Sequence, residues 1–110
     1  MVILNDVKNA LGVDEYNYAF DEELLLHINS AAGELTQLGL EYFSELIDEN
    51  TMWPTFPNLL ILTMIRQFVV LKVKLVFDPT PSETIVKTFQ STIQTLEARL
   101  MHEQEVLDNV

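Results

Sequence analysis

Residues 58–77 read NLLILTMIRQFVVLKVKLVF and form the longest apolar run of the chain. We predict that the helix starts at Pro57, because proline suits the first turn of a helix, where its missing amide hydrogen would have no partner. As one helix, these 20 residues would extend about 30 Å. Apolar residues cover most of the circumference, so neighbouring helices have to surround it. We therefore predict a central core helix.

The length of Leu59–Phe77 would also suit a membrane span. Arg66, Lys72 and Lys74 are spread through the segment, however, and each cation at bilayer depth costs about 2.5–3.5 kcal/mol. The N-terminus also lacks a basic region followed by an apolar run, the pattern of a signal peptide. We therefore rank a membrane-associated protein third, behind the two hypotheses given at the end of this section, and expect no membrane partner.

A second long helix is predicted after a sharp stop at Asp78-Pro79-Thr80-Pro81, since proline cannot continue a helix. Thr80 as N-cap, Pro81 at the first helical position and Glu83 form a capping box. Apolar residues then recur at spacings of 4, 4, 3 and 4. They are Ile85, Phe89, Ile93, Leu96 and Leu100. The helix is expected to reach about Leu107 and to pack antiparallel to the first.

Shorter helices are predicted in the first half. One covers Asn5 to Leu11, with Asn5 as N-cap and Gly12 as a stop. A loop at 13–19 follows, and a second helix starts at Asp21 and ends at Gly39.

A third short helix is predicted at 42–48 from its amphipathic spacing. Residues 49–57 break the pattern, and Trp53 and Phe56 are interpreted as a lid over the core. The prediction is an all-α fold in one domain, 1–110: a small helical bundle with two long antiparallel helices and two or three shorter ones.

The charge of the chain is strongly negative and uneven. The net charge is −11; residues 1–55 hold eleven acids and one base, and residues 56–110 hold six acids and five bases. Such a surface repels nucleic-acid phosphates, which argues against a conventional DNA- or RNA-binding module. The chain has no cysteine, which excludes disulfides and zinc–thiolate sites.

Residues that could carry chemistry are few. Glu23 and His27 share a helix face, and His102 lies near Glu103 and Glu105, but these groups are too small for a metal site. The acids Glu41, Glu45, Asp48 and Glu49 would line one side of a helix, where a divalent cation is conceivable and a solvated face is favoured. No phosphate loop or nucleophile elbow occurs. We predict no catalytic residue, cofactor or metal, and rank enzymatic activity last.

Self-association is predicted instead, because so short a chain has difficulty covering such apolar helices. The cations Arg66, Lys72 and Lys74 are candidate interface charges that pair with acids of the first half, in the same or an adjacent subunit.

The stretch LKVKLVFDPTPS at 71–82, followed by the run that ends in Leu96-Glu-Ala-Arg-Leu100, resembles the small phage and prophage head–tail connector proteins. In these, a long apolar helix closes with a Phe-Asp-Pro turn and leads into a final helix. The acidic helix start at Asp21 and the short first helix are similar too, so the resemblance covers most of the chain.

The resemblance implies a structural virion protein: a ring-forming adaptor that docks below the portal, extends the DNA channel and carries head-completion or tail proteins. Portal symmetry would make the ring twelve-fold, with DNA passing through without sequence-specific binding. The expected location is the head–tail junction of the virion, after assembly in the host cytoplasm or expression from a prophage. Residues 51–56 have no counterpart in many relatives, so lumen-facing residues are not assigned.

The alternative is an acidic helical binding module, either a nucleic-acid mimic or a small chaperone of a basic partner. The connector and the binding module are both consistent with an acidic surface, but only the connector hypothesis requires closed rings.

Overall fold

The fold consists of four helices in the residues that the structure describes. The structure is a computed structural model that describes residues 1–77 and 82–109. The helices are α1 (Ile3–Leu11), α2 (Asp21–Gln37), α3 (Leu59–Phe77) and α4 (Glu83–Asp108). Within these described residues there is no strand, only an isolated antiparallel bridge between Val2 and Met52. The predicted all-α bundle is confirmed.

Helix α3 is the centre of the bundle, as its sequence predicts, and it packs against each of the other three helices. Its buried side chains are Ile61, Met64, Ile65, Phe68, Val69 and Val73. Helix α4 packs on α3 and touches neither α1 nor α2. Lys74, near the end of α3, lies 5.6 Å from the ring centroid of Phe89, near the start of α4. The two long helices therefore run antiparallel, as predicted.

The start of α1 differs from the prediction. Asn5 is not the N-cap: the helix begins at Ile3, and Val2 occupies the N-cap position without a side-chain hydrogen bond. The amide of Ile3 donates to the carbonyl of Thr51 at 2.9 Å, and the amide of Trp53 donates to the carbonyl of Met1 at 3.1 Å. A distant segment thus sets this helix start, and capping preferences of nearby residues could not reveal it.

The other helix ends follow local signals. Gly12 and Gly39 adopt φ angles of 77° and 91° just after α1 and α2, a left-handed conformation that glycine tolerates without cost. Asn58 Oδ1 accepts from the amide of Ile61 at 2.9 Å, and α3 begins at Leu59 and not at the predicted start, Pro57. Ser82 is the N-cap of α4, and the predicted helix-start residues Thr80 and Pro81 lie outside the described residues.

The third short helix predicted at 42–48 is wrong, because this segment is irregular. Asn29 of α2 holds it: Nδ2 donates to the carbonyl of Ile47 at 2.9 Å, and Oδ1 accepts from the amide of Ile47 at 2.8 Å. Ile47 is buried, whereas Leu46 is 81% exposed. Amphipathic spacing was misleading here, since a side chain from another element satisfies the backbone in place of helical hydrogen bonds.

Trp53 and Phe56 pack against the core, as expected of a lid. Phe56 makes an edge-to-face contact with Tyr42, with ring centroids 5.0 Å apart. The Tyr42 hydroxyl donates to Gln104 Oε1 at 2.8 Å, which ties this segment to α4.

A buried lysine organises the connection between α1 and α2. Lys8 is fully buried, and its Nζ donates to the carbonyls of Glu15 and Asn17 at 3.0 and 2.8 Å and to Asp21 Oδ1 at 2.8 Å. All three ammonium donors are therefore satisfied. The predicted loop at 13–19 is folded onto α1 by this single side chain.

We expect Lys8→Met to lower the free energy of unfolding by about 2–4 kcal/mol, because the carbonyls of Glu15 and Asn17 and the Asp21 carboxylate lose their donor. Urea unfolding followed by circular dichroism measures the change. Lys87→Met is the matched control, since the Lys87 side chain is 74% exposed and its change should stay within about 0.5 kcal/mol. Equal effects of both substitutions would contradict a stabilising role of the Lys8 hydrogen bonds.

Candidate assembly surface

The first predicted interface cation, Arg66, forms a bidentate ion pair within the chain. Its Nε donates to Asp6 Oδ2 and its Nη2 to Asp6 Oδ1, both at 2.7 Å. Trp53 Nε1 also donates to Asp6 Oδ2, at 2.8 Å. The Asp6 carboxylate thus joins α1, α3 and the lid segment. Asp6 is buried, while the Arg66 side chain is 43% exposed.

The ionisation of Asp6 follows from these contacts. Burial alone would raise the pKa of its carboxyl, but the hydrogen bonds from Arg66 and Trp53, with the charge of Arg66, outweigh burial and lower the pKa. The hydrogen bond to Asp6 raises the pKa of the Arg66 guanidinium. Both groups are held in their charged forms.

The other two predicted cations also have contacts inside the chain. Lys72 Nζ lies 2.8 Å from Glu34 Oε2, which joins α3 to α2. Lys74 lies over the ring of Phe89, which joins α3 to α4. The expected pairing with acids of the first half is therefore found for Arg66 and Lys72 in the same subunit. A role of these three cations between subunits stays a prediction.

The other residues that the sequence singled out for chemistry do not form a metal site in the described part of the chain. His27 Nε2 and Glu23 Oε1 lie 3.7 Å apart on α2, as the sequence predicts. Glu41, Glu45, Asp48 and Glu49 share no helix face, because their segment is irregular. In residues 1–77 and 82–109, no group of three or more histidines and carboxylates is arranged to hold a metal ion.

Large apolar side chains remain on the surface after folding. The most exposed are Leu46, Leu59 and Tyr16, at 81%, 75% and 73%. Others lie on α2, α3 and α4, including Leu26 on α2, Val76 on α3 and Met101 on α4. Exposed apolar side chains favour contacts with other protein surfaces where they form a contiguous patch. Across the part of the chain that the structure describes, no helix is long and apolar enough to cross a membrane.

Two buried charged residues that join several elements, Asp6 and Lys8, were not singled out from the sequence. Lys8 carried a usable signal, because it is the lone base among the eleven acids of residues 1–55. For Asp6 the sequence carries no signal beyond its place in the first turn of a helix. Its partners, Trp53 and Arg66, lie 47 and 60 residues away along the chain.

Comparison with protein families gives one finding. A family model described as phage connector protein matches residues 3–106 of the chain. The match begins at the first residue of α1 and ends two residues before the end of α4. Curated proteins and solved structures give no match.

The lowered pKa of Asp6 predicts a specific loss of stability in acid. A carboxyl whose pKa is lower in the folded than in the unfolded state stabilises the fold above its ordinary value of 3.8, and this contribution is lost as the pH falls through the folded value. We expect Asp6→Asn to destabilise the fold at pH 7 by about 1–2 kcal/mol, a range that allows for solvent around Arg66.

Urea unfolding at a series of pH values tests this expectation. The difference in unfolding free energy between the wild type and Asp6→Asn should shrink as the pH falls from 5 to about 3. A difference that stays constant over that range would show that the Asp6 ion pair does not contribute.

Proposed function

The chain belongs to the phage connector protein family, and on this basis we propose that it is a ring-forming head–tail connector that docks below the portal. In this role it extends the DNA channel and presents a platform for head-completion or tail proteins. The family is a structural one, and the proposal assigns no reaction, cofactor or metal to the chain. Its place in the particle is the head–tail junction.

The layering of the helices supports self-assembly into a ring. Helices α1 and α2 pack on α3 and on each other, whereas α4 packs on α3 alone. The subunit therefore presents two different faces, one formed by α1 and α2 and the other by α4. Contacts between unlike faces are heterologous, and they close into rings when the rotation between copies allows it. A twelve-fold ring is the expectation from portal symmetry.

The charge distribution supports passage of DNA without binding. The net charge of −11 gives a ring an acidic wall that phosphates do not adhere to. A chain of this charge gains little affinity from counterion release on DNA, because few cations are free to neutralise phosphates.

The three predicted interface cations, Arg66, Lys72 and Lys74, remain candidates for contacts between subunits. The side chains of Arg66 and Lys72 are 43% and 31% exposed despite their intrachain pairs. A carboxylate of an adjacent subunit could share either cation, so these residues, with Lys74, are candidates at the margin of the subunit contact.

The decisive measurement is the assembly state of the purified chain, alone at high micromolar concentration and mixed with the portal protein of the same phage. We expect closed rings by negative-stain microscopy and native mass spectrometry, formed alone or templated by the portal. Major capsid protein from the same phage serves as the control for unspecific adhesion.

A chain that stays monomeric in both conditions would exclude the connector proposal. If such a monomer bound a basic protein with high affinity, the acidic binding module would be the better assignment.

A further inference from the structure

An aromatic groove lies between the α1–α2 connection and the turn after Asp48. It has a volume of about 290 Å³, and Leu4 and Asn5 of α1 form part of its wall. The residues that give it its chemistry are Glu15, Tyr16, Tyr18, Asp21 and Glu49. Two tyrosines and three acidic residues thus line one concave surface, and none of the described residues that line it is basic.

The two tyrosines are exposed yet held in place. Tyr16 and Tyr18 are 73% and 68% exposed. The Tyr16 amide donates to Asp14 Oδ1 at 2.8 Å, and the Asn17 amide donates to the Asp14 carbonyl at 3.0 Å. Lys8 fixes the same loop from beneath. Large rings on an ordered loop offer contact area at a low entropic cost, which is typical of docking surfaces.

The chemistry of the groove suits a cationic side chain. Carboxylates accept charge-assisted hydrogen bonds from a guanidinium or ammonium group, and tyrosine faces attract the same cations. The buried Lys8 already contacts a tyrosine ring and a carboxylate of this kind. Its Nζ lies 5.3 Å from the Tyr18 ring centroid and 2.8 Å from Asp21 Oδ1. Because Lys8 neutralises Asp21, the carboxylates of Glu15 and Glu49 remain for an incoming cation.

The contacts of the basic residues of this chain indicate which of them could occupy the groove. Among the described residues, four bases have a carboxylate within 4 Å and Lys74 lies over Phe89. Arg99, exposed on α4, is the remaining base, and within the described part of the chain it makes no salt bridge, side-chain hydrogen bond or aromatic contact.

We infer that the groove receives Arg99 of a neighbouring copy of this chain. Arg99 and the groove lie in different layers, because α4 packs on α3 and does not touch α1 or α2. The contact therefore joins two copies, the α4 side of one to the α1 side of the next. Each copy offers one groove and one arginine, as a repeating head-to-tail contact requires. This inference rests on the proposed ring and names the surface that closes it.

Charge exchange tests the contact. Arg99→Glu and Glu49→Arg each place like charges in the contact, and both positions are exposed, so the fold should be retained, as circular dichroism verifies. We expect each variant alone to assemble at least about tenfold more weakly than the wild type, as measured by sedimentation velocity with or without the portal.

An equal mixture of the two variants should restore assembly. In an alternating ring, the acidic groove of the Arg99→Glu chain receives Arg99 of the Glu49→Arg chain, and the basic groove of the latter receives the new glutamate. Lys87→Glu is the matched control, because it makes the same charge change on α4 at a residue beside Glu83 and should alter assembly less than about twofold.

The possible outcomes distinguish failure of the groove contact from failure of the connector proposal. If the wild type forms rings and Arg99→Glu behaves like Lys87→Glu, or if the mixture of variants fails to assemble, the groove contact is overturned and the connector proposal stands. If the wild type forms no ring alone or with the portal, the contact and the connector proposal both fail.

Discussion

Helix α3 has to be enclosed, because apolar side chains cover most of its circumference. Helices α1 and α2 cover one side of α3 and α4 covers another. The cations of α3 are then brought close to other elements, and each finds a contact there: Arg66 with Asp6, Lys72 with Glu34, and Lys74 with Phe89. The ion pairs orient neighbours around a helix whose burial supplies most of the driving force, since exposed or half-exposed pairs contribute little on their own.

The elements that the sequence predicts well are those whose cause is local. The apolar period of α4 and the glycines after α1 and α2 act within a few residues of the helices they shape. The segment at 42–48 has an equally good local pattern and still forms no helix, because Asn29 of α2 binds both backbone groups of Ile47. The start of α1 fails for the same reason, through its hydrogen bond to Thr51. Contacts over this distance leave no periodic signal.

The surface is harder to predict than the fold, because the availability of a charge depends on its partner. From sequence, the cations inside the apolar helix were expected to pair with acids of the first half, in the same or an adjacent subunit. The structure provides contacts for all of them within the chain and leaves Arg99 exposed on α4. Lys8 shows the converse, since a base in an acidic half would be expected at the surface and is instead fully buried under its own loop.

The uneven charge bears on how copies can pair. Residues 1–55 carry eleven acids and one base, and residues 56–110 carry six acids and five bases. A two-fold contact through the first half would place two strongly acidic surfaces together, at a cost that the exposed apolar residues would have to offset. A head-to-tail contact places the acidic half against the nearly neutral half and avoids that repulsion. Electrostatics therefore disfavours a closed dimer through the acidic half and favours the repeating contact from which rings are built.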